Sequence, residues 1–300
     1  MNTPTLFQKA RAEFLGTFLL VFIGCGSVHT ATLCGAQVGL WQIAIVWGLV
    51  IAFAIFITGA VSGGHLNPAM TLVFAVRRGL PWRDVGQYWL GQFTGTFCAA
   101  ALLFVLFQPM LTSHEDAHGV ERGQPGSVIT ARCYGEYYSS PDAIVSPETP
   151  WDANAWAEQA KYVPHGIAFL AEMFGTAILA LVVFALIDPR NPARPAAHLV
   201  PLFIGLTISM LISVIAPLTQ AGFNPARDFG PRLFAFLAGW GKEAIPGPNG
   251  IGFLTVYMIA PCCGSVLGGT IYDWIIRPAL PKSSFGETEC PSSALPHDSS

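Results

Sequence analysis

The sequence predicts an all-α membrane protein: six transmembrane helices plus two re-entrant half-helices, arranged as an inverted 3+3 repeat. Three observations carry that expectation. Of 300 residues, 52% are hydrophobic and 11% charged, against a charged share of about 25% in soluble domains. Six apolar stretches have the roughly 20 residues that a helix needs to cross a bilayer's hydrocarbon core. An Asn-Pro-Ala triplet interrupts the apolar pattern twice, in GGHLNPAMT at 63–71 and GFNPARDFGPR at 222–232.

In chain order, the spans are expected at about 12–33, 41–60, 85–107, 166–187, 199–217 and 251–275. The first follows Lys9 and Arg11 and is too long for the apolar core of a signal peptide, so it reads as a membrane helix rather than a cleaved leader. Two intervening segments, 67–76 and 224–237, are too short to cross at about 1.5 Å per residue. Six crossings place Lys9, Arg11, Arg77, Arg78, Arg83, Arg190, Arg194, Arg277 and Lys282 on one side. Basic loops stay in the cytoplasm, so both termini are expected there, in a plasma (cell inner) membrane. The opposite side carries 108–164, with eight acidic residues and only Arg122, Arg132 and Lys161 as cations. A single domain is expected over 1–282: repeat one at about 10–107, an external loop at about 108–164 and repeat two at about 165–278. Residues 283–300 have the composition of a disordered tail.

The repeat is visible directly. AEFLGTFLL at 12–20 matches AEMFGTAIL at 171–179. Glu13 and Glu172 are 159 positions apart, while Asn67 and Asn224, like Gly48 and Gly205, are 157 apart. Each half has three spans, an odd number, so the second is inverted, and inverted repeats place a solute site near the bilayer midplane.

Asn is a favoured N-cap and Pro a favoured first helical residue. Asn67-Pro68-Ala69 and Asn224-Pro225-Ala226 therefore each start a half-helix. The backbone before them must be non-helical, which at membrane depth survives only when buried or lining a wet cavity. Gly63 and Gly64, and Gly222 in the second copy, are expected to give it that freedom. Inversion brings the two N-termini together, each with about half a positive charge, a device that repels cations and protons. The Asn side chains offer donors and the extended backbone a row of acceptors, suited to a neutral, hydroxyl-bearing solute.

Several other features are weighed on the same terms. Asn191-Pro192, in DPRNPARPAA, sits among two further prolines, Pro189 and Pro195, and two arginines, Arg190 and Arg194, and reads as a loop turn. His114, Glu115 and His118 match the HExxH pattern of zinc peptidases, but Gly119 follows at once and no sustained helix is expected there, so an external loop is the preferred reading. Glu13 and Glu172 could couple an ion in a secondary transporter; their matched places in the repeat favour structural struts. Arg227 could pair with Asp228, Trp47 could be ordinary packing, and His65 could simply hold its loop. Gly91-x-x-x-Gly95 and Gly264-x-x-x-Gly268 read as close helix packing within or between subunits. The seven cysteines show no metal-binding spacing. A net charge of −3 gives no footprint for nucleic acid, and neither metal nor cofactor is expected.

The paired Asn-Pro-Ala boxes, each led by an AEF/AEM-G-T helix, resemble the aquaporin/major intrinsic protein family over residues 10–278. NPARDFGPRLFAFLAGWG, with Asp228 and Arg232, is similar to the glycerol-facilitator branch. The resemblance implies the aquaporin fold and a passive channel, not an enzyme, for glycerol or a related small polyol, with water also passing and ions excluded. It implies that Asn67 and Asn224 donate to the solute. Trp47, Ile212, Ala221 and Arg227 would form the selectivity filter. Carbonyls of Gly63, Gly64, His65, Ala221, Gly222 and Phe223 would form an acceptor ladder. Glu13, Glu172 and Asp228 would brace the loops, in a homotetramer embedded in membrane lipid. The filter departs from that branch: Ala221 stands where a Phe is usual and Ile212 where a Gly is usual.

Overall fold

A computed structural model describes residues 3–37, 39–139 and 152–281. Helix α1 (Leu6–Cys34) opens on a capping box in which Thr5 and Gln8 satisfy each other's backbone N–H groups. It ends at Gly35 in the left-handed region, where a glycine costs least. There follow α2 (Leu40–Ser62), the half-helix α3 (Pro68–Arg77), α4 (Trp82–Ala117), the short α5 (Val128–Ala131), α6 (Ala153–Ala160), α7 (His165–Ile187), α8 (Val200–Thr219) and the half-helix α9 (Pro225–Ala235). A last span covers Gly252–Ala279. Six helices among the described residues are long and apolar enough to cross a bilayer, and α3 is apolar but too short.

Small residues let these spans approach, as packing in lipid requires. A Cβ on Gly91 or Gly95 of α4 would collide with the Ala10 or Phe14 carbonyl of α1. One on Gly264 or Gly268 of the last span would collide with the Met173 or Ala177 carbonyl of α7. Both glycine pairs thus join spans of the same chain. The two halves meet where α2 packs on α8. There Gly48 and Gly205, 157 positions apart, each lack the Cβ that would strike the other's carbonyl. Large apolar side chains such as Phe53, Val105, Val214 and Leu237 face outward, as a lipid-facing surface demands.

Two expectations need correction. Helix α4 runs about ten residues past its expected end and carries His114 and Glu115, with His118 as its C-cap. The HEDAH stretch therefore lies at a helix end, because polar residues that end an apolar run need not end a helix. The 108–164 segment is also not simply a solvated loop: residues 126–139 are buried throughout. The tail 283–300, Lys282 and Cys290 lie outside the described residues, as do residues 140–151.

Asn191 forms a turn, with its side chain accepting from Ala193 N and donating to Ala185 O.

Candidate functional site

The site begins with two backbone segments that are not helical, 63–67 and 220–224. Gly63, Gly64 and Leu66 take φ of 90°, 63° and 54°; Gln220, Ala221 and Phe223, at the equivalent positions, take 64°, 62° and 52°. The second loop reaches this strained conformation without glycine. The expected role of Gly222 is therefore corrected: its φ is ordinary, and its missing Cβ instead makes room beside Tyr257, Glu172 and Glu136. A non-glycine residue in the left-handed region costs about 1–2 kcal/mol, so each loop must be held from outside.

Two buried carboxylates hold them. Glu13 accepts from His65 N (2.9 Å), Leu66 N (2.7 Å), Ser62 Oγ (2.6 Å) and Gln92 Nε2 (2.7 Å). Glu172 accepts from Gly222 N (3.0 Å), Phe223 N (2.7 Å) and Thr219 Oγ1 (2.6 Å). Tyr88 and Tyr257 donate to the last carbonyls of the preceding helices, Ser62 O and Thr219 O. The sites are near-copies, except that the first has the extra donor Gln92.

Asn67 Oδ1 accepts from Ala69 N (2.9 Å), and Asn224 Oδ1 from Ala226 N (3.0 Å) and Arg227 N (3.3 Å), so each Asn caps its half-helix. Each Asn also crosses to the other half. Asn67 Nδ2 donates to Phe223 O and Asn224 Nδ2 to Leu66 O, both at 2.8 Å. Each amide keeps one further N–H. Within the expected carbonyl ladder, the Phe223 carbonyl is thus engaged by Asn67. Its counterpart, Leu66 O, escaped the sequence reading.

A cavity of about 620 Å³ runs past these tips. Thr32, Gln37 and Arg132 line it on the side of the buried 126–139 segment; Phe74, Ile187 and Val200 line it beyond the tips. Between them lie Asn67, Asn224, Gly63, Gly64, His65, Ala221, Gly222 and Phe223, together with Trp47, Ile212 and Arg227. Pro68, Ala69, Pro225 and Ala226 do not line it; they start the helices behind the Asn caps. Much of the remaining wall is aliphatic. The guanidinium of Arg227 lies 4.7 Å from the Trp47 ring centroid, a cation–π contact.

Arg227 is held by the inserted external segment. Its Nη1 donates to Tyr134 O (2.9 Å), and its Nε stands 2.5 Å from Glu136 Oε1. Asp228, weighed above as the partner of Arg227, instead pairs with Arg232 at 2.9 Å and accepts from Glu136 N at 2.6 Å. Arg232 in turn donates to the carbonyls of Glu136 and Ala244. Burial pushes the Glu136 carboxyl above the usual carboxylate range, while Arg227 pulls it back. Sequence reasoning missed Glu136. Its signal was a single acid in a tyrosine- and glycine-rich stretch, YGEYY, too apolar for a solvated acidic loop.

Glu115 is not free for metal chemistry: it pairs with Arg122 (2.8 Å) and accepts from Thr130 Oγ1 (2.5 Å). No cluster of three or more His, Cys, Asp or Glu suited to a metal occurs among the described residues.

Comparison with known proteins agrees in kind. The family model described as Major intrinsic protein matches residues 1–272. The glycerol uptake facilitator protein of Pseudomonas aeruginosa is 39% identical over 282 residues, covering 94% of this chain and 93% of that one. A propanediol uptake facilitator of Salmonella typhimurium is 38% identical over 277 residues, covering 92% and 97%. Among solved structures, the aquaglyceroporin from Plasmodium falciparum superposes with a TM-score of 0.75 at 23% identity, over 91% of this chain and 98% of that one.

Proposed function

The chain belongs to the major intrinsic protein family, and on that premise we propose that it is a passive channel for glycerol and similar small uncharged polyols, with water also passing. One observation carries the reading: a single cavity threads between two half-helix tips and meets both capping Asn side chains, Arg227 and Trp47. A solute there exchanges hydration for the free Asn N–H groups and the carbonyls of 63–65 and 221–222, while its carbon face lies on Trp47 and Ile212. The relatives, glycerol and propanediol uptake facilitators, support a small polyol.

In this reading Trp47, Ile212, Ala221 and Arg227 make the constriction, and the opposed helix tips turn away cations and protons. As a member of a family of channels the protein is not an enzyme, and Glu115, tied into an ion pair, does not support the peptidase alternative. Ion coupling is disfavoured in the same way, since Glu13 and Glu172 are spent on loop N–H groups. Its place is a cell inner membrane, with both termini cytoplasmic by the charge of the loops and four copies together.

Proteoliposome swelling tests this. Glycerol and propanediol should enter without any ion gradient, faster than into protein-free vesicles. Uptake that demands a sodium or proton gradient would overturn the channel reading.

A further inference from the structure

Among the described residues lining the cavity, Arg132 and Arg227 are the cations and Glu136 is the carboxylate. Glu136 is 1% exposed. Its main chain is already fixed by Asp228 and Arg232, so the side chain is not needed to seat the segment. A neutral amide or hydroxyl at this position could also accept from Arg227, with less cost of burial though a weaker bond. The charge itself needs a reason, because a buried carboxylate is costly unless paired. Its second oxygen, Oε2, makes no hydrogen bond to the protein among the described residues, so its one strong compensation is Arg227 at 2.5 Å.

We infer that Glu136 is a specificity-determining residue that acts through Arg227: it cancels the arginine's charge, so that the constriction is neutral instead of cationic. Arg227 beside two electropositive helix tips would otherwise make the passage an anion trap. The same pairing means that removing Arg227 bares a carboxylate at the narrowest point. The resulting cation leak then comes from Glu136, not from loss of a positive barrier. This inference rests on the channel reading above.

A double-variant cycle in planar bilayers or ion-loaded vesicles decides it, with sodium and nitrate as probes. Glu136→Gln should raise nitrate flux about tenfold or more, because unit charges a few ångströms apart inside a protein interact far more strongly than in water. Arg227→Val should raise sodium flux on the same scale. Combining the two should bring the sodium flux back down about tenfold. Opposite ion preferences that cancel on combination are not what a lost structural strut produces. A combined variant that leaks sodium as freely as Arg227→Val overturns the inference, as does unchanged nitrate flux in Glu136→Gln.

Should the variants fail gel filtration in detergent, the unaltered protein serves. Glu136 is faced by Arg227, Asp228 and Arg232 from α9, by Glu172 from α7 and by Tyr257 from the last span. Lowering pH protonates the raised carboxyl, so nitrate flux should climb as pH falls from 9 to 5, and a flat profile over that range refutes the proposal. Glycerol swelling of the same vesicles separates the outcomes: if it is absent the channel reading fails, and if it is present with ion flux unmoved only the Glu136 inference fails.

Discussion

Ala221 shows how far a single side chain can shape the passage. It lines the same cavity as Trp47, Ile212 and Arg227, and in the proposed filter its small size would leave the slot broad on one side. Ala221→Phe adds a ring opposite a wall that is already bulky. Flux of the largest permeant solute should fall about tenfold more than that of water, a gap of roughly 1.4 kcal/mol in barrier height, read from a graded swelling series. An unchanged ratio would place the constriction elsewhere. At Glu172, replacing the carboxylate by Gln leaves one oxygen for three donors. Orphaned loop N–H groups cost about 1–3 kcal/mol, visible as a lowered melting temperature in detergent. Glu13→Gln should cost more, because Glu13 serves four donors. The Asn caps and the Glu pair were legible because the repeat names its own equivalent residues, whereas Arg227, whose counterpart position holds Met70, was reached only through the family resemblance. Glu136 was not legible, since nothing in the first half of the chain corresponds to it. Gly222 was misjudged for the opposite reason: it sits beside a motif that suggests backbone freedom, whereas its neighbours carry the unusual dihedrals.

The helices were the most readable part of the chain. A span needs some twenty apolar residues in a row, and such runs have few other uses. The ends were less readable: α4 continues through Thr112, Ser113 and His114, because helix formation is governed by backbone hydrogen bonds and not by hydropathy. Burial of 126–139 was invisible, as it depends on contacts with α9 distant in sequence. The glycine pairs give a test at this level. Gly268→Val places a methyl-bearing Cβ against the Ala177 carbonyl, which cannot move without parting the last span from α7. Little folded protein should be recovered by gel filtration. Gly86→Ala, on α4 with open space around it, should be tolerated, and a helical Ala gains up to about 1 kcal/mol over Gly. Equal loss from both changes would mean that the glycines matter for propensity and not for contact.

For the molecule as a whole, the outer surface offers large apolar side chains and no pairing of the strongest small-residue motifs, which are consumed within each half. The four copies proposed above would therefore meet through ordinary apolar faces, and such an assembly should be sensitive to detergent: native mass spectrometry in mild detergent should find a fourfold mass, with monomers that still conduct glycerol after harsher extraction and reconstitution. Monomers devoid of flux would show a passage that one chain cannot form alone. The cross-bonds from Asn67 to Phe223 and from Asn224 to Leu66 also bear on motion. A carrier that rocks its halves to open first one side and then the other would have to break both bonds at every cycle, and slide Gly48 past Gly205 where no slack exists. The clasp between the two halves makes this a fixed sieve and not a turnstile. Its throughput should climb in proportion to concentration without levelling off, and a labelled solute on one side should never be driven uphill by an unlabelled one on the other.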